Sequence, residues 1–412
     1  MDRVILHCDC NGYFASVECI ARPELRDVPM AVCGDPKCRH GIILAKNELA
    51  KKYGIVTAET IYQAKRKCPE LVLVGAHHDQ YQYYCKRINE IYAQYTDQVE
   101  AFSIDESWLD VTGSLSLFGS GKEIADTLRR RVREELGLTI SVGVSYNKVF
   151  AKLGSDYKKP DATTVITREN YKQLLYPLPV REMLFVGTSA AQVLARQGIT
   201  TIGELAEHPK ERLHALLGKM GDTLWTYANG LDTSEVRRIG ESDPVKSISN
   251  DVTFARDLVG EEDIKTGIMM LADSVGTRLR AHQLKALTVQ IRIKTPDLKS
   301  ISRQETLSAA TDSTKEIYKT AMGILRRSWD MHKPIRMLSV GCTHFADDDA
   351  PEQMSMFSDE SAPTKEKQRK LESAVDAIRH KFGKTSISLG QMMKSDIGGI
   401  GHKTEEQEAT QE

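Results

Sequence analysis

No stretch of the 412 residues approaches the roughly 18–20 consecutive apolar positions that a membrane-crossing helix requires, so no membrane partner is expected. The chain also does not open like a secretory leader, which has a basic start and a longer apolar segment. Met1-Asp2-Arg3 runs straight into the strand-like Val4-Ile5-Leu6-His7. An excess of either charge is missing too: 56 Lys and Arg stand against 57 Asp and Glu. That balance argues neither for nor against nucleic acid. The eight cysteines never pair as C-x₂-C, the spacing of common zinc sites. Cys8, Cys10, Cys19, Cys33, Cys38, Cys68 and Cys85 sit among core-like neighbours, and Cys342 lies in a late apolar run. They read as buried, reduced thiols of a cytoplasmic protein.

What is present is length and an uneven spread of charge. A chain of this size exceeds one ordinary core and implies about two to four domains. From Val245 to Phe345, 16 Lys and Arg face 11 Asp and Glu, a net +5. From Ala346 to Glu412 the counts are 9 and 14, a net −5. A basic region before an acidic tail suits either a solvated surface or a phosphate-binding face.

The apolar periodicity predicts a multidomain α/β chain. Residues 3–10 read as a buried strand, and Asn11-Gly12 as a turn. A helix carrying Phe14, Val17 and Ile20 stops before Pro23. Strands at 29–33 and 42–44 flank a Gly/Asp/Pro loop, and a helix over 46–53 closes at Gly54. Helices follow at 60–68 and 79–97. Residues 99–112 read as a hairpin with Asp105-Glu106 at its bend. Ile124, Leu128, Val132 and Leu136 predict an amphipathic helix over 121–137. Ile140, Val142 and Val144 alternate with small polar residues as a half-buried strand does. This interleaving gives a mixed first domain over 1–166. Residues 167–235 are mostly helical, and 236–244 form a linker. Residues 245–345 follow the order β-α-β-β-α-β, which leaves one sheet face free to carry Arg292, Lys294 and Arg303. The tail, 346–412, is acidic, with one charged helix near 364–382 and disorder expected at both ends.

Three carboxylates carry the chemistry. Asp9 ends the first strand, and Asp105 and Glu106 stand side by side at the bend. Adjacent carboxylates repel each other, and a divalent cation removes that cost. With a third carboxylate across the sheet, two cations can sit together and clamp the attacking and leaving oxygens of a displacement at phosphorus. On spacing alone, a solvated acidic turn is the commoner reading of such a pair. Lys51 and Lys159 could reach a triphosphate, where an ammonium acts as a point charge.

The string Asp9-Cys10-Asn11-Gly12-Tyr13-Phe14-Ala15-Ser16-Val17-Glu18 resembles the first motif of the Y-family translesion DNA polymerases. Ser103-Ile104-Asp105-Glu106 resembles their second metal-binding motif. The run from Val142 to Lys152, continuing to Lys159-Pro160, is similar to a third stretch of the same palm. Order and spacing agree over roughly residues 1–345. The resemblance implies a right-hand polymerase: an α+β palm at 1–166 with fingers inserted at about 23–78, a helical thumb at 167–235, and a little-finger DNA-binding domain at 245–345. It implies two Mg²⁺ ions, which Mn²⁺ can replace, held by Asp9, Asp105, Glu106 and the Cys10 carbonyl. The dNTP would lie against Asn11, Gly12, Tyr13 and Phe14, with Lys51 and Lys159 on its phosphates. Phe14 would be the steric gate against a 2′-hydroxyl, and Ser103 a neighbour of the primer terminus. Arg292, Lys294 and Arg303 would grip DNA. Short fingers imply loose closure over the nascent pair, hence weak discrimination and tolerance of damaged templates.

The sequence departs from the family at several places. Glu48 stands where relatives usually carry a tyrosine, Ala45 lacks a hydroxyl, and Asn11-Gly12 replaces a more usual pair. The thumb turn Phe185-Val186-Gly187-Thr188 keeps one glycine. In the tail, Gln353-Met354-Ser355-Met356-Phe357 resembles the peptide with which bacterial polymerases dock on the sliding clamp. Expected partners are thus primer–template DNA, dNTP and the clamp, for a monomeric enzyme. A nuclease on the same palm, or a silent DNA-binding scaffold, are the rival readings; the scaffold would be marked by a lost carboxylate, and none is lost.

Overall fold

The computed structural model describes residues 2–34, 41–346, 362–383, 386–388, 390, 396 and 397. The clamp-like peptide at 353–357 lies outside them. The chain divides into two units, Met1–Ser242 and Asp243–Glu412.

Five strands build the main sheet of the first unit. They are β1 (Ile5–Cys10), β5 (Val99–Ala101), β6 (Glu106–Asp110), β7 (Ile140–Ser145) and β8 (Thr163–Val165), in the order β5-β6-β1-β7-β8. β1 lies in the centre and is buried at every position. Its side chains alternate between two different environments. Leu6, Cys8 and Cys10 enter the large core. That core also takes residues of α1 (Tyr13–Ala21), α4 (His78–Tyr92) and α6 (Gly121–Leu136). Ile5, His7 and Asp9 point the other way, towards α7 (Lys148–Tyr157) and the loop after it.

α7 lies on the sheet at backbone distance. A Cβ added to Gly143 of β7 would fall 1.9 Å from the carbonyl oxygen of Ala151. Only glycine permits that approach. Thus the half-buried strand read from the alternation is covered on both faces, and its small residues are where the helix sits.

The segment between β1 and β5 holds a smaller sheet with its own core. β2 (Met30–Cys33), β3 (Ile43–Lys46) and β4 (Val72–Gly75) run in the order β3-β2-β4 beside α2 (Glu48–Lys52) and α3 (Ile61–Lys67). Asn47 caps α2 and Thr60 caps α3 in a capping box. The sequence reading misses β4 and β8, two short strands that pair in parallel and sit at sheet edges. It also runs the helix at 79–97 past its end, Tyr92.

After α5 (Leu115–Phe118) and the strands already named, five short helices follow. They are α8 (Tyr171–Leu175), α9 (Thr188–Ala195), α10 (Ile202–Glu207), α11 (Lys210–Leu217) and α12 (Lys219–Ala228), packed around Ile202, Leu205, Leu213 and Leu224. The chain then returns to the sheet as an extended arm. Val236 is buried with Ile5, Trp108 and Ala151. Ile239 donates to the Asp97 carbonyl, and the Arg237 N–H donates to Glu100. Residues 236–242, read as linker, are therefore bound to the first unit.

The second unit is a four-stranded antiparallel sheet, β9 (Ser247–Leu258), β10 (Ala286–Lys294), β11 (Ser300–Thr311) and β12 (Ile335–Phe345), in the order β11-β10-β12-β9. α13 (Glu261–Ala281) and α14 (Thr314–Ser328) pack on one face, giving the expected β-α-β-β-α-β order. α15 (Ala362–Phe382) docks through ion pairs of Arg280 with Glu372 and Asp376, and of Arg379 with Asp273. Arg292 and Lys294 lie on the helix-free face, but Arg303 does not. Its register partner is the buried Ile291, so the two-residue period of the sheet puts it on the helix side. Arg292 is paired with Asp251 at 2.7 Å.

Two stability predictions follow from these contacts. Gly143→Ala forces α7 off the sheet, and a urea titration should show a loss of about 3 kcal/mol or more. Glu100 is buried, takes Lys148 at 2.7 Å and Arg237 at 3.2 Å, and ties the arm to β5. Burial raises its carboxyl, but these cations outweigh burial and hold it below its ordinary 4.5. Such a group contributes fully above its unfolded value, and the contribution is lost as pH falls through the folded one. Glu100→Gln should cost roughly 2–4 kcal/mol at pH 7. The gap to wild type should narrow from about pH 5 downward.

Candidate active site

One end of the main sheet collects the acidic residues. Asp9 and Glu106 are register partners across β1 and β6. The Cys10 N–H donates to the Asp105 carbonyl at 3.1 Å, which fixes the bend against the end of β1. Ser103 Oγ donates to Asp105 Oδ1 at 2.7 Å. Three carboxylates thus come from adjacent positions of paired strands, with the Cys10 backbone beside them.

Each of two carboxylates is met by a lysine from α7 or its following loop. Lys159 Nζ lies 2.7 Å from Asp9 Oδ2 and also bonds Asp156. Lys152 Nζ lies 2.6 Å from Glu106 Oε2 and sits 5.1 Å from the Phe102 ring centroid. Burial pushes the Asp9 carboxyl up to about 7, against the pull of Lys159. Glu106 is also opposed by burial, yet the donors facing it bring its carboxyl down to about 2. His7 Nε2 is 3.6 Å away, beyond hydrogen-bond length, so Lys152 is the cation that holds this charge. Burial depresses His7 to about 4 and keeps the ring neutral. Ser155 Oγ donates to the Lys152 carbonyl, so His7 Nδ1 donates to Ser155, and Nε2 remains without a hydrogen-bond partner.

The turn after β1 shapes a cleft. Gly12 has φ 53, a left-handed conformation that suits glycine, and a Cβ there would press on the Lys46 carbonyl at 3.4 Å. Asn11 Nδ2 donates to Ser141, and its Oδ1 accepts from the Asp161 N–H at 2.9 Å. Asn11 therefore ties the loop that follows Lys159 to the β1–α1 turn. Tyr13 is buried and Phe14 half-buried. A cleft of about 350 Å³ opens at the turn, lined by Asn11, Gly12, Ser16, Lys46, Glu48 and Pro160 among others, and not by Tyr13, Phe14 or the three carboxylates.

The structure thus brings together Asp9, Cys10, Asn11, Gly12, Tyr13, Phe14, Ser103, Asp105, Glu106 and Lys159. Lys51 stands apart from the cleft lining; it is exposed and pairs with Glu48 at 3.6 Å. Lys46 is among the residues that line that cleft. Arg292, Lys294 and Arg303 belong to the second unit. Sequence reading passed over Lys152 as a site residue, although it lies one helical turn after Lys148 on α7. In the helical segment, the turn at Gly187 is not the closely packed one. A Cβ at Gly187 would meet open space, whereas Gly218 has φ 62 and Gly221 packs against the Leu213 carbonyl. The tight hairpin is α11–α12.

The donor set fits a hard divalent cation, which takes carboxylate and carbonyl oxygens. Among the described residues no three such side chains already converge as a ready ligand set. The lysines supply the compensating charge that a cation would supply.

Comparison with known proteins agrees with this geometry. Residues 8–156 match the model of the impB/mucB/samB family, and residues 245–356 match that of its C-terminal domain. A DNA polymerase IV of Acetivibrio thermocellus is 49% identical over 96% of this chain and 98% of its own length. That of Clostridium kluyveri is 37% identical over 96% and 99%. A chimeric Y-family DNA polymerase of known structure superposes with a TM-score of 0.73 over 83% of this chain and 99% of its own, at 23% identity, which speaks for the fold. The chain belongs to the Y family of translesion DNA polymerases, in the subgroup of bacterial DNA polymerase IV.

Proposed function

We propose that this polymerase extends a primer opposite damaged template bases at the end of the main sheet that carries Asp9, Asp105 and Glu106. The observation that carries this reading is the register of Asp9 with Glu106, with Cys10 bonded to Asp105, beneath two lysines. Asp9, Asp105, Glu106 and the Cys10 carbonyl would hold two Mg²⁺ ions, or Mn²⁺ in their place. When bound, such ions lower the pKa of the primer 3′-hydroxyl and steady the triphosphate. The hydroxyl oxygen forms a bond to the α-phosphorus of the dNTP, and pyrophosphate leaves with the bond that breaks.

The chain's own groups orient these partners. Lys159 would move its ammonium from Asp9 to the triphosphate, and Lys51, exposed on α2, is the second cation proposed for that anion. The dNTP would lie against Asn11, Gly12 and Tyr13, with Phe14 as the gate against the 2′-hydroxyl. Ser103, held on Asp105, borders the primer terminus. Arg292 and Lys294 offer the helix-free face of the second unit to DNA, and Arg303 reaches phosphate from the other side of the edge strand. We assign 1–166 to palm with inserted fingers, 167–235 to thumb and 245–345 to little finger, with 236–242 an arm bound to the first unit. The peptide bearing Gln353, Met354, Met356 and Phe357 would tether a monomeric, cytoplasmic enzyme to the sliding clamp.

Primer extension on an undamaged template, with Mg²⁺ and dNTPs, tests the site. Wild type should add nucleotides distributively and in template order. Asp105→Ala with Glu106→Ala should slow addition by about 10³-fold or more while DNA binding, read by fluorescence anisotropy, persists. A wild type that binds DNA and adds nothing overturns the reading.

A further inference from the structure

Phe14 does not stand alone. Its ring lies parallel to that of Tyr81, with centroids 4.0 Å apart and planes 10° from each other. The His78 ring meets both edge-on, at 5.9 Å from Phe14 and 5.7 Å from Tyr81. Tyr81 is fully buried, and its hydroxyl donates to Glu18 Oε1 at 2.5 Å. The same hydroxyl accepts the His77 N–H at 3.1 Å. Glu18 is itself buried and takes two further donors, His77 Nδ1 at 2.8 Å and Arg22 at 2.7 Å. Tyr13 closes the group by donating to the Tyr81 carbonyl at 2.6 Å.

The helical period explains this arrangement. Phe14 and Glu18 lie one turn apart on α1, so their side chains share a face. Tyr81 on α4 spans that turn: its ring covers Phe14 and its hydroxyl reaches Glu18. A phenylalanine ring has no polar handle and takes its position from its neighbours. A buried carboxylate with three donors is a rigid anchor, because each donor would lose a hydrogen bond by moving.

We infer that Tyr81 and Glu18 are positioning residues for sugar discrimination: Glu18 pins Tyr81, and Tyr81 pins the Phe14 ring against the place of the 2′-hydroxyl. The inference rests on the gate role proposed for Phe14. Discrimination by contact with one added hydroxyl depends on a wall that does not yield. A phenylalanine free to turn on its χ angles would give way to the ribose.

Single-nucleotide insertion of dATP and rATP opposite template thymine tests it, with the ratio of the two kcat/KM values as readout. Phe14→Val serves as the reference and should lower that ratio most. Tyr81→Leu should lower it roughly tenfold while leaving kcat/KM for dATP within about threefold. Tyr81→Phe, which keeps the ring, should restore most of it. Glu18→Gln keeps the size of the side chain and removes its charge, and should lower the ratio about threefold; it also serves if Tyr81→Leu fails to fold in a thermal melt. An unchanged ratio in Tyr81→Leu and Glu18→Gln, with Phe14→Val lowered, overturns the inference alone. Equal losses for both nucleotides overturn it too, since they mark a merely structural role. An unchanged ratio in Phe14→Val overturns the gate reading instead.

Discussion

Two ammonium groups make the acidic end of the main sheet possible. Asp9, Asp105 and Glu106 are set close by β-pairing, and carboxylates this close repel each other when little water screens them. Lys159 and Lys152 meet Asp9 and Glu106 at hydrogen-bond distance, and both lysines come from α7 or the loop after it. Their reach depends on how deeply that helix seats. It seats deeply because Gly143 leaves its backbone bare where Ala151 crosses. A missing side chain in the strand thus sets the charge balance of the site.

The same pairs explain how the proposed site can fold before any cation arrives. A cation brings two positive charges where each lysine brings one, and it takes several oxygens at once. It should displace the ammonium groups, which are then left free for a substrate's phosphates. Lys159 is exposed and lies on a loop, which suits a group that exchanges partners.

Much of this was legible in the residues. Asp9 at the end of an apolar run, and Asp105-Glu106 at a hairpin bend, follow from the two-residue period of strands, and their meeting needs only antiparallel pairing. The β-α-β-β-α-β order of the second unit was equally plain, because each element is long and strongly periodic. What was not legible depends on contacts distant in sequence. β4 and β8 are short strands whose pairing is parallel, with no local turn to announce it. Val236 looks like linker until Ile5 and Trp108 are seen to receive it. Arg303 seemed to share a face with Arg292, but register, not composition, decides the face of an edge strand. Lys152 looked like one more lysine until α7 brought it to Glu106.

The most direct measurement of this account is Mn²⁺ binding to the enzyme without DNA or nucleotide, followed by electron paramagnetic resonance. Wild type is compared with Lys152→Met and Lys159→Met. If the ammonium groups occupy the place of the cations, removing either should tighten Mn²⁺ binding several-fold, and Asp9→Asn should weaken it. Affinity that is unchanged, or weaker, in both lysine variants would contradict the account, because the lysines would then be supports of the site and not its stand-ins for metal.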